Sequence, residues 1–173
     1  MEKTRIPVKS LTVSAAFLIA LAISEGYAPK TVKTVVDPVP TGGFGSTLDE
    51  AGKPLKVGEP MPPVRALVVL RAHVSRDEET FKKSLPNVAL TQGEYDVYLD
   101  FVYQYGTGAW NGSSMRRALL FGNHRAACDA LLKYRFSNGV DCSAPGNRTC
   151  SGVWKRQQER HSKCIAEVEA AGS

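Results

Sequence analysis

A chain of 173 residues, 43% hydrophobic and 23% charged, has room for one domain of ordinary size. That balance excludes both a disordered polymer and a multi-pass membrane protein. The formal net charge of +5 suits a polyanionic partner, whether nucleic acid, anionic lipid or wall polymer, without choosing among them.

The only long apolar run is Ile6–Ser24, and Lys3, Arg5 and Lys9 precede its core. Positive charge ahead of an apolar stretch marks an export signal that leaves the N-terminus in the cytoplasm. As a permanent anchor the run is poor. A spanning helix takes about 20 apolar residues, whereas Lys9, Ser10, Thr12, Ser14 and several alanines interrupt this one. Three fates are open: a signal peptide cleaved at Ala20-Leu21-Ala22, a stable anchor, or a signal-anchor that later leaves the bilayer intact and packs onto the rest of the chain.

From Glu25 to Thr47 the chain is rich in Val, Thr, Pro and Gly, which predicts a small hairpin or meander. Leu48–Pro63 reads as loop. From Val64 the positions Val64, Leu67, Val68, Arg71 and Ala72 recur at helical spacing, and Leu85-Pro86 ends that helix. Thr91 with Glu94 three residues on matches a capping box. The helix it opens carries Tyr95, Tyr98, Leu99, Val102 and Tyr103 on one face, read as core, and is expected to stop at Gly106-Thr107-Gly108. Ser113 or Ser114 caps a short helix, Met115–Phe121. His124–Phe136 and Val153–Ala170 follow as amphipathic helices. His73, His124 and His161 are scattered and carry no expected chemistry. Arg116, Arg117, Arg156 and Arg160 read by default as solvated helix faces.

Cys128, Cys142, Cys150 and Cys164 lie in the last third, with neither C-x-x-C spacing nor a nearby His pair. A metal site is therefore not expected, and an even set confined to one region reads as two disulfides formed in an oxidising compartment. Of the three connectivities the nested one is favoured. Cys142 and Cys150 flank a Pro/Gly/Asn loop that can turn back on itself, while Cys128 and Cys164 fall in helix-like stretches that can pack together.

Three blocks in order carry a family likeness: Glu25-Gly26-Tyr27 followed by Val39-Pro40-Thr41-Gly42-Gly43-Phe44-Gly45-Ser46-Thr47; Tyr95-Asp96-Val97-Tyr98 through Gly106-Thr107-Gly108 to Ser113-Ser114-Met115-Arg116-Arg117; and Gly152-Val153-Trp154 through Arg160. The stretch from Glu25 to Cys164 resembles the phage lysozyme family of glycoside hydrolases, and within it the signal-arrest-release endolysins of tailed phages. The resemblance implies an α+β, lysozyme-like fold, with a small β element, a mainly helical lobe and an active-site cleft between them. It also implies a muramidase that cuts the β-1,4 bond between N-acetylmuramic acid and N-acetylglucosamine in peptidoglycan, causing lysis of the host cell at phage release. Glu25 would be the acid that protonates the leaving oxygen. The family's second carboxylate falls nine residues after the Glu, where this chain has Thr34, so the role passes to Asp37. Thr41 would hold the attacking water. Gly43, Gly45, Gln104 and Tyr105 are the candidate sugar-binding positions.

On that reading residues 1–24 form the signal-anchor and 25–173 the catalytic domain. Cleavage after Ala22 would leave Glu25 beside a free, fraying end, which favours release of the uncleaved segment. The expected course is residence in the host inner membrane through residues 6–24, as a single pass with the N-terminus cytoplasmic, and then the periplasm. The chain is expected to work as a monomer on peptidoglycan glycan strands, with no cofactor and no nucleic acid. The alternative is a membrane-tethered, non-catalytic peptidoglycan-binding protein of the same fold, favoured by the displaced acid.

Overall fold

The computed structural model describes residues 2–33 and 38–172. In chain order the elements are β1 (Ile6–Pro7), α1 (Ala15–Glu25), β2 (Ala28–Val32), β3 (Thr41–Gly43), α2 (Pro63–Ser84) and β4 (Ala89–Leu90). Then come α3 (Gln92–Asn111), α4 (Ser114–Leu120), α5 (His124–Ala130), β5 (Phe136–Ser137), β6 (Val140–Asp141) and α6 (Ser151–Ala170). This is the α+β arrangement that the sequence predicts. Two compact units divide it: Val13–Thr80, and Met1–Thr12 together with Phe81–Ser173.

In the unit Val13–Thr80, Ser14 caps α1 by accepting the Phe17 N–H at 3.0 Å. Phe17 and Leu21, four residues apart and so on one helical face, are buried. The opposite face is just as apolar, yet Ala16, Ile19, Ala20 and Ile23 are exposed. β2 and β3 pair antiparallel, with Ala28 opposite Gly43 and Val32 opposite Thr41. Leu55, Met61 and Val69 make a small buried cluster beneath the loop that leads into α2. That loop is held mostly by backbone. Asp49 Oδ1 accepts the N–H groups of Ala51 at 2.9 Å and Lys53 at 2.8 Å, and Leu55 N donates to Thr47 O at 3.0 Å.

The other unit is helical and aromatic. Phe81, Tyr95, Tyr98, Phe101 and Trp110 are fully buried. The Phe81 and Trp110 rings lie 4.8 Å apart, and Trp110 donates its indole N–H to Ser84 Oγ at 2.8 Å. Each such ring contributes on the order of 2–3 kcal/mol through removal from water. The capping box of α3 is present in both directions: Thr91 Oγ1 accepts the Glu94 N–H, and Glu94 accepts the Thr91 N–H. Both disulfides follow the nested pairing, Cys128–Cys164 and Cys142–Cys150. The Tyr98 hydroxyl lies 3.3 Å from Cys164 Sγ.

The N-terminal arm belongs to this helical unit. β1 pairs with β4, Val8 and Leu11 are buried, and Lys3 N donates to Ala170 O at 2.7 Å. Arg5 Nε reaches the wholly buried Glu94 at 3.2 Å, and His124 Nδ1 meets the other oxygen of the same carboxyl at 2.8 Å. Burial alone would raise the Glu94 pKa, but the hydrogen bonds from His124 and the Thr91 N–H, with the Arg5 charge, hold it below the usual range. The run Ile6–Ser24 is thus not one continuous element in the folded chain. It divides into β1, a 3₁₀ turn at Val8–Ser10, extended backbone and most of α1. Among the described residues no helix is long and apolar enough to cross a membrane.

Three expectations need correction. α3 breaks at Gly106, at φ 80, as expected, but a second helical stretch that was not expected follows at once and runs to Asn111. The helix read over His124–Phe136 ends at Ala130, tightens into a 3₁₀ turn over Leu131–Lys133 and gives way to the β5–β6 hairpin. Its turn is Asn138-Gly139, both at positive φ, the pairing that two-residue hairpins favour. Arg160 is no solvated residue. It is 3% exposed, with Nε 2.6 Å from Asp100 Oδ2 and Nη2 3.0 Å from the Asp100 carbonyl, while Arg156 takes Oδ1 at 3.0 Å.

Candidate active site

Glu25 is the last residue of α1, and its side chain is exposed. Gly26 follows at φ 72, a left-handed conformation that ends the helix at low cost only for glycine and turns the chain into β2. Tyr27 then ties this corner down. Its hydroxyl donates to Met61 O at 2.7 Å, and its ring packs 5.4 Å from Phe44.

The β3 hairpin meets the carboxyl from the other side. Gly42 and Ser46 exchange backbone hydrogen bonds of 2.9 and 3.0 Å, closing a tight turn over Gly43, Phe44 and Gly45. A Cβ placed on Gly45, which has φ 74, would lie 3.0 Å from Glu25 Oε2. Gly43 has a different neighbour: it is buried, and a Cβ there would stand 3.0 Å from the Ala66 methyl on α2. Gly42 is closed off by Thr31, whose Oγ1 is 2.7 Å from the corresponding point. Of the three glycines, Gly45 brings its backbone to the Glu25 carboxyl, while Gly42 and Gly43 let the hairpin seat against Thr31 and Ala66.

Thr41 opens β3, part-buried, with its hydroxyl donating to Val39 O at 3.0 Å. The hydroxyl oxygen keeps lone-pair capacity for a water. Asp37 and Thr34 lie outside the described residues, so the second carboxylate has no geometry here. Among the described residues no group of three or more His, Cys, Asp or Glu could hold a metal ion.

Gln104 and Tyr105 belong to the helical unit, directly before the Gly106 kink. Gln104 is exposed and Tyr105 half-buried. Three contacts hold Tyr105 in place: its hydroxyl accepts from Gln157 Nε2 at 2.7 Å, its ring stacks on Phe101 at 4.7 Å, and the Arg160 guanidinium lies 5.9 Å from the ring centre. Asp100 anchors that guanidinium. Burial pushes the Asp100 carboxyl up, but the charge and hydrogen bonds of Arg160, then Arg156, outweigh it and hold the group below its ordinary range. Sequence reading missed Asp100, Gln157 and the Tyr27–Phe44 pair. The (i, i+4) spacing of Arg156 and Arg160 was the available signal for two cations converging on one partner.

The family model for phage lysozyme matches residues 22–160. The chain belongs to the phage lysozyme family. The matched span begins just before Glu25, so the carboxyl beside Gly45 sits within the family's own sequence. The endolysin of Salmonella phage P22 is 29% identical over 97 residues, a stretch that spans 56% of this chain and 66% of that endolysin. The fold is shared with a crystal structure of a P22 lysozyme point mutant, at a TM-score of 0.72 and 22% identity over 90% of this chain and 99% of that one. It is shared also with the endolysin of the Escherichia coli phage FAHEc1, at a TM-score of 0.75 and 22% identity, covering 92% of this chain and 96% of that one.

Proposed function

We propose that this phage lysozyme is an endolysin that hydrolyses the β-1,4 bond between N-acetylmuramic acid and N-acetylglucosamine of peptidoglycan and so lyses the host cell. The observation that carries the proposal is the Glu25 carboxyl at the end of α1, with the Gly45 backbone against it. Glu25 is the general acid, Asp37 the ionised partner and Thr41 the holder of the attacking water. That arrangement is the inverting one, which takes carboxyls about 6.5–9.5 Å apart. Gly45, with Gly43 shaping its turn, lets a sugar approach the backbone.

Export rests on residues 6–24, first in the inner membrane and then released intact to the periplasm. The outer face of α1 supports this reading. A helix selected only for its folded position needs one apolar stripe, and α1 exposes a second one through Ile19 at 61% and Ile23 at 77%. Both stripes are useful in a bilayer.

A peptidoglycan zymogram of wild type against Glu25→Gln tests the chemistry: clearing by wild type alone is expected, and equal clearing would sink the assignment. Mass spectrometry of the soluble periplasmic form tests the release. An intact chain is expected, and a mass lacking residues 1–22 would end that part of the proposal.

A further inference from the structure

The geometry points to Glu78 as the residue that sets the axial position of the Glu25 helix, an inference that rests on the lysozyme reading above. Glu78 stands on α2 and is 4% exposed. Its Oε1 accepts the backbone N–H of Val13 at 3.0 Å, and its Oε2 lies 3.3 Å from Arg71 Nη1. Val13 directly precedes Ser14, the cap of α1. A buried carboxylate thus grips the amino end of the helix whose carboxyl end bears Glu25. Both ends lie in the one unit Val13–Thr80.

Such a grip complements the Tyr27 corner, which ties down the chain just beyond Glu25 but leaves the amino end of α1 to its packing. The helix is apolar all round and rich in alanine, and only Phe17 and Leu21 are buried. Hydrophobic contact is non-directional, so an evenly apolar helix can slide or rotate at small cost. A slip of one residue moves Glu25 by about 1.5 Å along the axis and about 100° around it, away from Gly45. A charge-assisted hydrogen bond inside the protein is directional and costly to leave unmade. The negative charge is also well placed beside the helix amino end. Glu78 is therefore a positioning residue, acting on Glu25 through the length of α1.

The test combines rates on solubilised peptidoglycan fragments with amide exchange at Val13. Glu78→Gln keeps an acceptor for the Val13 N–H and should stay within about threefold of wild type. Glu78→Leu should lower kcat by about 10²-fold with KM little changed, the signature of a displaced catalytic group. Val13 exchange should be slow in wild type and Glu78→Gln and fast in Glu78→Leu. If Glu78→Leu does not fold, Glu78→Asp, one methylene short but still charged, should show the same kcat loss in smaller measure. Wild-type kcat in the folded Leu variant, or in the Asp variant, would overturn the inference. So would Val13 exchange that is equally fast in wild type and variant. A wild type inert on peptidoglycan would retire the lysozyme reading, and Val13 exchange would still decide whether Glu78 holds the helix.

Discussion

The two units of this protein are held together by different means. Val13–Thr80, which bears Glu25, relies on buried aliphatic residues such as Leu55, Met61, Val69 and Leu70, on the Glu78 carboxylate between Val13 and Arg71, on backbone turns and on glycines. The helical unit has an aromatic core, both disulfides and buried ion pairs at Glu94 and Asp100. Stability and chemistry are thus kept largely apart. The proposed acid, Glu25, sits where backbone comes close, so losses of function and losses of fold should separate by unit.

The largest separation is expected from Glu25→Gln, which should cost about 10³-fold in rate and leave the unfolding midpoint unchanged; a matching fall in Tm would blur the division. Next comes Cys128→Ser with Cys164→Ser. These residues are 36 apart in sequence, and opening the bridge should cost about 4 kcal/mol in a denaturant titration while cold activity survives. Asp100→Asn should cost about 3 kcal/mol at neutral pH, because it leaves Arg160 buried with a neutral partner. The Asp100 pKa is depressed in the fold, so its stabilisation is complete above the ordinary carboxylate range and is lost as pH falls through the lowered value. The variant's stability should accordingly fall less between about pH 5 and pH 2, read by unfolding at several pH values. Smallest is Gly45→Ala. The residue has φ 74 and the Glu25 carboxyl in the way, so about 1–2 kcal/mol of strain is expected, together with a rate loss out of proportion to it. An undisturbed rate would show that the backbone approach to Glu25 is dispensable.

Local chemistry made much of this legible in the sequence. The Thr91–Glu94 box and the Pro/Gly loop between Cys142 and Cys150 each declare themselves within a few residues. What escaped reading depends on distant partners. α5 gives way early where Tyr134 packs on Phe101 at 4.6 Å and the Arg135 carbonyl takes the Cys142 N–H, although Asn138-Gly139 was a fair hairpin signal. Arg160 looked solvated because its partner, Asp100, lies 60 residues away. Glu78 gave no sign of its role, because its acceptor oxygen serves a backbone N–H rather than a side chain. The roles of Glu25, Asp37 and Thr41 all rest on the family resemblance, and the backbone of Gly45 beside the Glu25 carboxyl is what the folded chain adds.

The Arg5–Glu94 contact has a practical bearing on how the protein is handled. Arg5 sits close to the chain's beginning, yet its partner is sealed inside the helical unit. A chain trimmed to start at Ala15, as a tidy soluble version would be, removes the guanidinium and leaves that carboxyl facing His124 alone among the side chains it touches. The first dozen residues therefore belong in any sample meant to represent the folded protein.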